Sequence, residues 1–129
     1  EELESFLMPL SDAGVDIFHC SQRRFWEPEF AGSELNLAGW TQKITGKPAI
    51  TVGSVGLDAD FTPKPGEAHF KEADPASLDT LLHRLDQNEF ELVAVGRALI
   101  SNPDWVNLVQ AKRMDDLKPF RKEHLGELV

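Results

Sequence analysis

A chain of 129 residues with 41% hydrophobic residues is long and apolar enough for one folded domain with a core, which excludes a disordered polypeptide. Its formal net charge of −9 argues against a nucleic-acid partner, because phosphate backbones need basic surfaces. One cysteine excludes an internal disulfide, and the absence of a long apolar run predicts no membrane span and suits a cytoplasmic protein.

Predicted helices alternate with predicted strands along the chain. Helical periodicity and short apolar runs bounded by Gly, Pro and polar residues distinguish the two. Helices are predicted over 1–12, 34–45, 77–88 and 102–114, and strands over 14–21, 48–56 and 90–95. The intervening stretch 57–75 is irregular and typical of a lid or binding loop, and the tail 115–129 is poorly specified.

The last helix has a start signal of its own. Asn102 is predicted as its N-cap, Pro103 as its first residue and Asp104 as a charge that favours the helix dipole. Trp105 is interpreted as a packing anchor.

Three strand–helix units over 14–114 predict an α/β fold with parallel strand pairing and right-handed crossovers. We expect a single domain over 1–129. Its first residues look like a helix already under way, which predicts that the chain begins inside a larger protein. Ligands bind at the carboxyl ends of such strands, where three candidate loops lie.

The loop after the third strand is the first candidate for a phosphate site. Gly96 allows close approach of the backbone to a ligand, because it has no Cβ. Arg97 offers a planar set of donors matched to phosphate oxygens. The alternative is a glycine at a strand end followed by a solvated arginine.

The loop after the second strand is the second candidate. Gly53, Ser54, Val55 and Gly56 can direct successive backbone N–H groups at one anion. The alternative is a tight turn that only connects the strand to the next loop.

In their order along the chain, these segments resemble the C-terminal part of the old yellow enzyme family. That family consists of FMN-dependent NAD(P)H oxidoreductases, many of them ene-reductases, built on a TIM barrel. The matching segments are 14–21 (GVDIFHCS), 51–56 (TVGSVG), 94–100 (AVGRALI) and 101–105 (SNPDW). The resemblance implies that the three strands are the sixth to eighth of the barrel, and that the loops at 53–56 and 96–97 hold the FMN phosphate.

A full barrel needs about 250 residues, so this chain is expected to be one part of it and to need the missing barrel half or another subunit. The resemblance places the substrate-anchoring pair and the proton-donating tyrosine in that missing half, and the chain contains no tyrosine. No catalytic residue is therefore assigned, and the isolated chain is expected to be inactive.

The loop after the first strand carries Phe25 and Trp26, one of which the resemblance assigns to the wall of the substrate pocket. The alternative is an aromatic cluster that packs the loop onto the barrel rim. His19 and Cys20 are predicted to point to opposite sheet faces, with Cys20 as a small buried hydrophobe. The histidines form no ligand spacing, so no metal is predicted.

Three functions stay open at this point. The first is part of a flavin oxidoreductase that reduces activated alkenes, with FMN as cofactor and NAD(P)H as reductant. The second is a non-catalytic module that binds another phosphorylated ligand. The third is a half-barrel whose uncovered strands pair with a further chain.

Overall fold

A computed structural model of the protein describes residues 1–60, 62 and 71–127. The helices are α1 (Glu2–Asp12), α2 (Leu37–Thr45), α3 (Asp79–Asp86), α4 (Arg97–Ser101) and α5 (Trp105–Gln110). The strands are β1 (Phe18–Ser21), β2 (Ala49–Val52) and β3 (Leu92–Val93). Two short 3-10 helices, Met114–Asp116 and Lys122–Gly126, follow α5.

The described chain divides into two compact units, where the sequence predicted one domain. The first unit comprises residues 1–53 and 79–94, and the second comprises 54–78 and 95–129. The first unit thus holds the sheet with α1, α2 and α3, and the second holds α4, α5 and the two 3-10 helices.

The first unit is built on a three-stranded parallel sheet in the order β1-β2-β3. Phe18 pairs with Ala49, and Ile50 pairs with Leu92. The protein is therefore an α/β protein with parallel strands, as the sequence predicted. Each strand is shorter than its apolar run, because only residues 18–21, 49–52 and 92–93 form the ladder.

Burial alternates along the strands, so the two faces of the sheet differ. Cys20 on β1 and Thr51 on β2 are buried on the face against which α2 packs. His19, one residue earlier, is exposed. The prediction that His19 and Cys20 point to opposite faces is confirmed, since successive strand residues alternate between faces.

The start of helix α2 is set by a hydrogen bond to its N-cap residue. Asn36 is its N-cap, and its side-chain Oδ1 accepts a hydrogen bond of 2.8 Å from the Gly39 N–H. Gly46 ends the helix in the left-handed conformation, at φ +68°. The predicted start at residue 34 was three residues early, because Asn36 takes the cap position.

The last predicted helix, 102–114, is wrong in its start and in its length. The chain instead forms α4 before Asn102 and begins α5 at Trp105, with Asp104 at the N-cap position. The Asn102 side chain is buried and bonds Lys118 through both ends of its amide, at 2.7 and 2.9 Å. The Asn102 amide therefore links Lys118 to the end of α4 and does not cap α5.

The predicted start of the third helix also moved. It was expected at residue 77, and α3 begins at Asp79. Pro75, before the helix, forms an antiparallel bridge with Leu57. A second bridge joins Ala73 to Phe120 within the same unit. Much of the predicted irregular stretch, residues 61 and 63–70, lies outside the described residues.

Candidate functional site

The second unit brings together the two loops that the sequence selected for phosphate binding. Arg97, the first residue of α4, directs its Nη2 to the Ser54 Oγ at 3.2 Å. These residues are 43 positions apart in the chain. Ser54 and Arg97 are therefore neighbours within this unit, and Val55 and Gly56 follow Ser54 in the chain, while Gly53 belongs to the first unit.

The guanidinium of Arg97 is held in place by main-chain oxygens. Its Nη2 also donates to the Ala59 carbonyl at 2.6 Å, and its Nη1 donates to the Asp60 carbonyl at 3.4 Å. The Phe120 ring centroid lies 5.5 Å from the guanidinium carbon. These contacts fix the orientation of a cation that the sequence alone would leave as a mobile surface side chain.

Two opposing influences act on the pKa of the Arg97 guanidinium. Partial burial lowers the pKa of the guanidinium, whereas the negative charges of Asp60 and then Asp58 raise that pKa. An arginine stays protonated at neutral pH in either case. The two aspartates weaken the attraction of this surface for an anion, and the sequence analysis did not consider them.

The loop itself supplies donors rather than acceptors. Among the described residues, the backbone N–H groups of Val55 and Gly56 reach no protein acceptor, although both residues are buried. Ser54 has φ +51° and Gly56 φ +71°, and the Leu57 N–H closes the turn on the Ser54 carbonyl at 3.1 Å. A backbone N–H group that reaches no acceptor in the protein can donate to an anionic oxygen of a ligand.

Gly56 and Gly96 differ in the space around the position that a Cβ would take. A Cβ at Gly56 would lie 3.2 Å from the Trp105 Cζ2. A Cβ at Gly96, in contrast, would meet nothing within 4 Å. A side chain at Gly56 would therefore be crowded by Trp105 and strained at φ +71°, whereas the Cβ side of Gly96 is open.

Gly53 serves the first unit. A Cβ at Gly53 would lie 2.5 Å from the Gln22 carbonyl oxygen, and its φ is +150°. Its own carbonyl accepts the Phe25 N–H at 3.0 Å. The contacts of Gly53 thus bind β2 to the loop after β1.

That loop carries the two predicted pocket aromatics. The Phe25 side chain is buried with 3% exposure, whereas Trp26 is half-buried, and their rings meet edge to face at 5.3 Å. Trp26 is therefore the better placed of the two to touch a ligand. The assignment of either residue to a substrate pocket stays a prediction.

Two buried polar residues that no sequence motif indicated hold this loop. The Asn36 Nδ2 donates to the Phe25 carbonyl at 2.9 Å. Arg84, on α3, donates to the carbonyls of Phe25 and Trp26 at 3.4 and 3.2 Å. A polar residue that interrupts the apolar stripe of α3 was the available signal for Arg84, but charged residues at such positions are usually solvated.

Cys20 does not have the environment of a nucleophile. Burial raises the pKa of its thiol, and a 3.4 Å contact with the Thr41 hydroxyl only partly opposes this effect. The thiol is therefore protonated at neutral pH, and nucleophilic chemistry needs the thiolate.

Three further features of the described residues bear on function. A cavity of about 450 Å³ in the first unit lies between the start of α1 and Trp40, and none of the predicted site residues lines it. No three His, Cys, Asp or Glu side chains in the described ranges converge as a metal site would require. None of the helices that the structure describes has the length and apolar character to cross a membrane.

Comparison with known proteins adds no family assignment. No family model matches the chain, and no curated protein matches it.

Proposed function

We propose that this chain is the C-terminal part of a TIM barrel, strands six to eight, and supplies the phosphate-binding loops for FMN in an NAD(P)H-dependent oxidoreductase. The observation that carries the proposal is the convergence of donors in the second unit. The Arg97 guanidinium contacts Ser54, next to the unpaired N–H groups of Val55 and Gly56. These are the residues on which the family resemblance rests.

The residues present fit a phosphate monoester. Its oxygens only accept hydrogen bonds, and the described loop offers N–H donors beside a fixed cation. Because Gly96 has open space on its Cβ side, its backbone is accessible to a ligand at close range. FMN, when bound, would supply hydride transfer from NAD(P)H to an activated alkene.

The role of this chain is therefore binding and orientation. Arg97 would share its donors between the phosphate and the carbonyls of Ala59 and Asp60, and Ser54 would exchange its contact with Arg97 for one with the ligand. No residue of this chain is assigned a proton-transfer step, and the complete reaction would require the other part of the barrel.

The experiment is a titration of the purified protein with FMN, followed by flavin absorbance and fluorescence. Arg97→Ala is expected to weaken binding by about 10-fold or more, the usual worth of a hydrogen bond to a charged group. Arg97→Lys should fall between that variant and the wild type, because lysine keeps the charge and loses the planar set of donors. Asp60→Asn should bind FMN more tightly, because it removes a negative charge near Arg97.

Two controls make the result specific. Arg113→Ala removes an exposed arginine whose partner is Asp116, at 2.6 Å, and should leave FMN binding unchanged. Riboflavin lacks the phosphate, so its binding should not respond to Arg97→Ala. If the folded protein and a longer chain that completes the barrel both fail to bind FMN, the proposal is wrong. Binding of inorganic phosphate without a preference for FMN would favour a general phosphate-binding module.

A further inference from the structure

Trp105 holds a buried donor that the fold does not use. The residue is 7% exposed, and its indole Nε1 is buried with no hydrogen-bond partner among the described residues. The indole nitrogen can only donate, and a buried donor without an acceptor carries a free-energy cost for the folded state. Packing alone explains why a large aromatic side chain stands here, but a phenylalanine would pack without that cost.

The indole edge lies against the candidate phosphate loop. A Cβ at Gly56 would be 3.4 Å from Nε1 and 3.2 Å from Cζ2. Within the described part of the second unit, the N–H groups of Val55 and Gly56 also lack protein acceptors. Three donors without acceptors therefore lie at one short loop, which Arg97 reaches through Ser54.

We propose that the Trp105 indole N–H is a further donor to a phosphate monoester bound at the Ser54–Gly56 loop. The inference rests on the proposed function and extends it to a residue that neither the sequence motif nor the resemblance assigned to binding. A single water would give these donors two lone pairs, whereas a phosphate offers three exposed oxygens and a charge opposite to that of Arg97. The donor set thus favours the anion.

The first test observes the indole proton directly. The chain contains three tryptophans, so a ¹H–¹⁵N spectrum shows three indole resonances, which Trp26→Phe, Trp40→Phe and Trp105→Phe assign. Addition of FMN or inorganic phosphate should shift the Trp105 indole proton downfield and saturably. Trp40 is a matched control, because its Nε1 is equally buried and unpartnered but lies in the other unit. Its resonance should not move with inorganic phosphate.

The second test is Trp105→Phe, which keeps an aromatic ring and removes the N–H. We expect FMN to bind about 10-fold more weakly and riboflavin to bind as it does to the wild type. If Trp105→Phe fails to fold, the wild-type indole titration decides, with the assignment from the other two variants.

The outcomes separate this inference from the proposal on which it rests. If Arg97→Ala weakens FMN binding while Trp105→Phe does not, and the Trp105 resonance stays still, the inference is overturned and the phosphate site stands. If neither the wild type nor a longer chain that completes the barrel binds FMN or inorganic phosphate, both are overturned. A shift of the Trp105 resonance together with a loss of FMN affinity in Trp105→Phe supports both.

Discussion

The loops that follow β1 and β2 leave neighbouring strands of one parallel sheet, yet their buried residues differ in how their backbone N–H groups are paired. After β1, the Phe25 carbonyl receives donors from Asn36 and Arg84, and the Phe25 N–H donates to Gly53. After β2, the N–H groups of Val55 and Gly56 have no acceptor in the described part of the chain.

This difference separates a structural loop from a loop with binding capacity. A loop whose polar groups are already paired inside the protein gains little from a ligand, because each new hydrogen bond replaces an existing one. In a loop with unpaired donors, a hydrogen bond to a ligand acceptor offsets the free-energy penalty of burying those donors. We therefore expect changes in the first loop to alter stability and changes in the second to alter affinity.

The largest effect should come from Gly53→Ala. The new Cβ would lie 2.5 Å from the Gln22 carbonyl oxygen, at a φ of +150° that alanine rarely adopts. The clash is with backbone, so a rotamer change cannot relieve it. We expect a loss of about 3 kcal/mol or more in the free energy of unfolding, measured by urea denaturation.

Gly46→Ala is the matched control for that variant. Gly46 has φ +68° and nothing within 4 Å of its Cβ position, so the substitution adds backbone strain without a clash. It should cost about 1 kcal/mol. Equal losses for the two variants would show that the contact of Gly53 with the first loop does not matter.

A smaller loss is expected from Arg84→Met. The buried guanidinium donates to two loop carbonyls and lies 4.0 Å from the Glu89 carboxylate, so its removal leaves buried groups unpaired. We expect about 2–3 kcal/mol of destabilisation, read from the same denaturant titration.

Arg113→Met removes an arginine from an exposed ion pair and should cost less than about 1 kcal/mol. If Arg84→Met is as mild as Arg113→Met, the first loop does not depend on α3, and the contrast between the two loops is lost.

The smallest effect concerns pH and Glu89. Burial raises the pKa of the Glu89 carboxyl, and the charges of Arg84 and His83 oppose that rise. The folded state therefore holds this proton more tightly than the unfolded chain does. The stabilisation is complete below the unfolded pKa of about 4.3 and is lost as the pH rises through the folded value.

Glu89→Gln removes the titrating group and keeps its shape. The free energy of unfolding of the wild type, relative to this variant, should fall as the pH rises from about 3 to about 7. Parallel stability curves for the two proteins would show that Arg84 already compensates fully for the burial of the carboxylate.

The sequence predicted the order of elements well because local patterns determine it. Helical periodicity located α1 to within one residue, and α2 ends at residue 45, as predicted. Parallel pairing followed from the alternation of strands and helices. Strand ends were less accurate, because the ladder depends on which residues find a partner across the sheet.

For the candidate site, the chosen glycines and arginine were visible as motifs, but their partners were not. The sequence indicated Arg97 and Ser54 separately, and it gave no sign that Asp58 and Asp60 lie near the guanidinium. Trp105 was interpreted only as a packing residue, since an unpaired indole nitrogen can be recognised only when its surroundings are known.

The sequence by itself thus determined the first three helices, the parallel strands and the two glycine loops, since these depend on residues close together in the chain. Tertiary structure alone decided which polar groups are buried and with what partners. The bond from Arg84 to Phe25 spans 59 residues and that from Arg97 to Ser54 spans 43. Contacts of such range form only when packing brings distant donors and acceptors together and removes water from them.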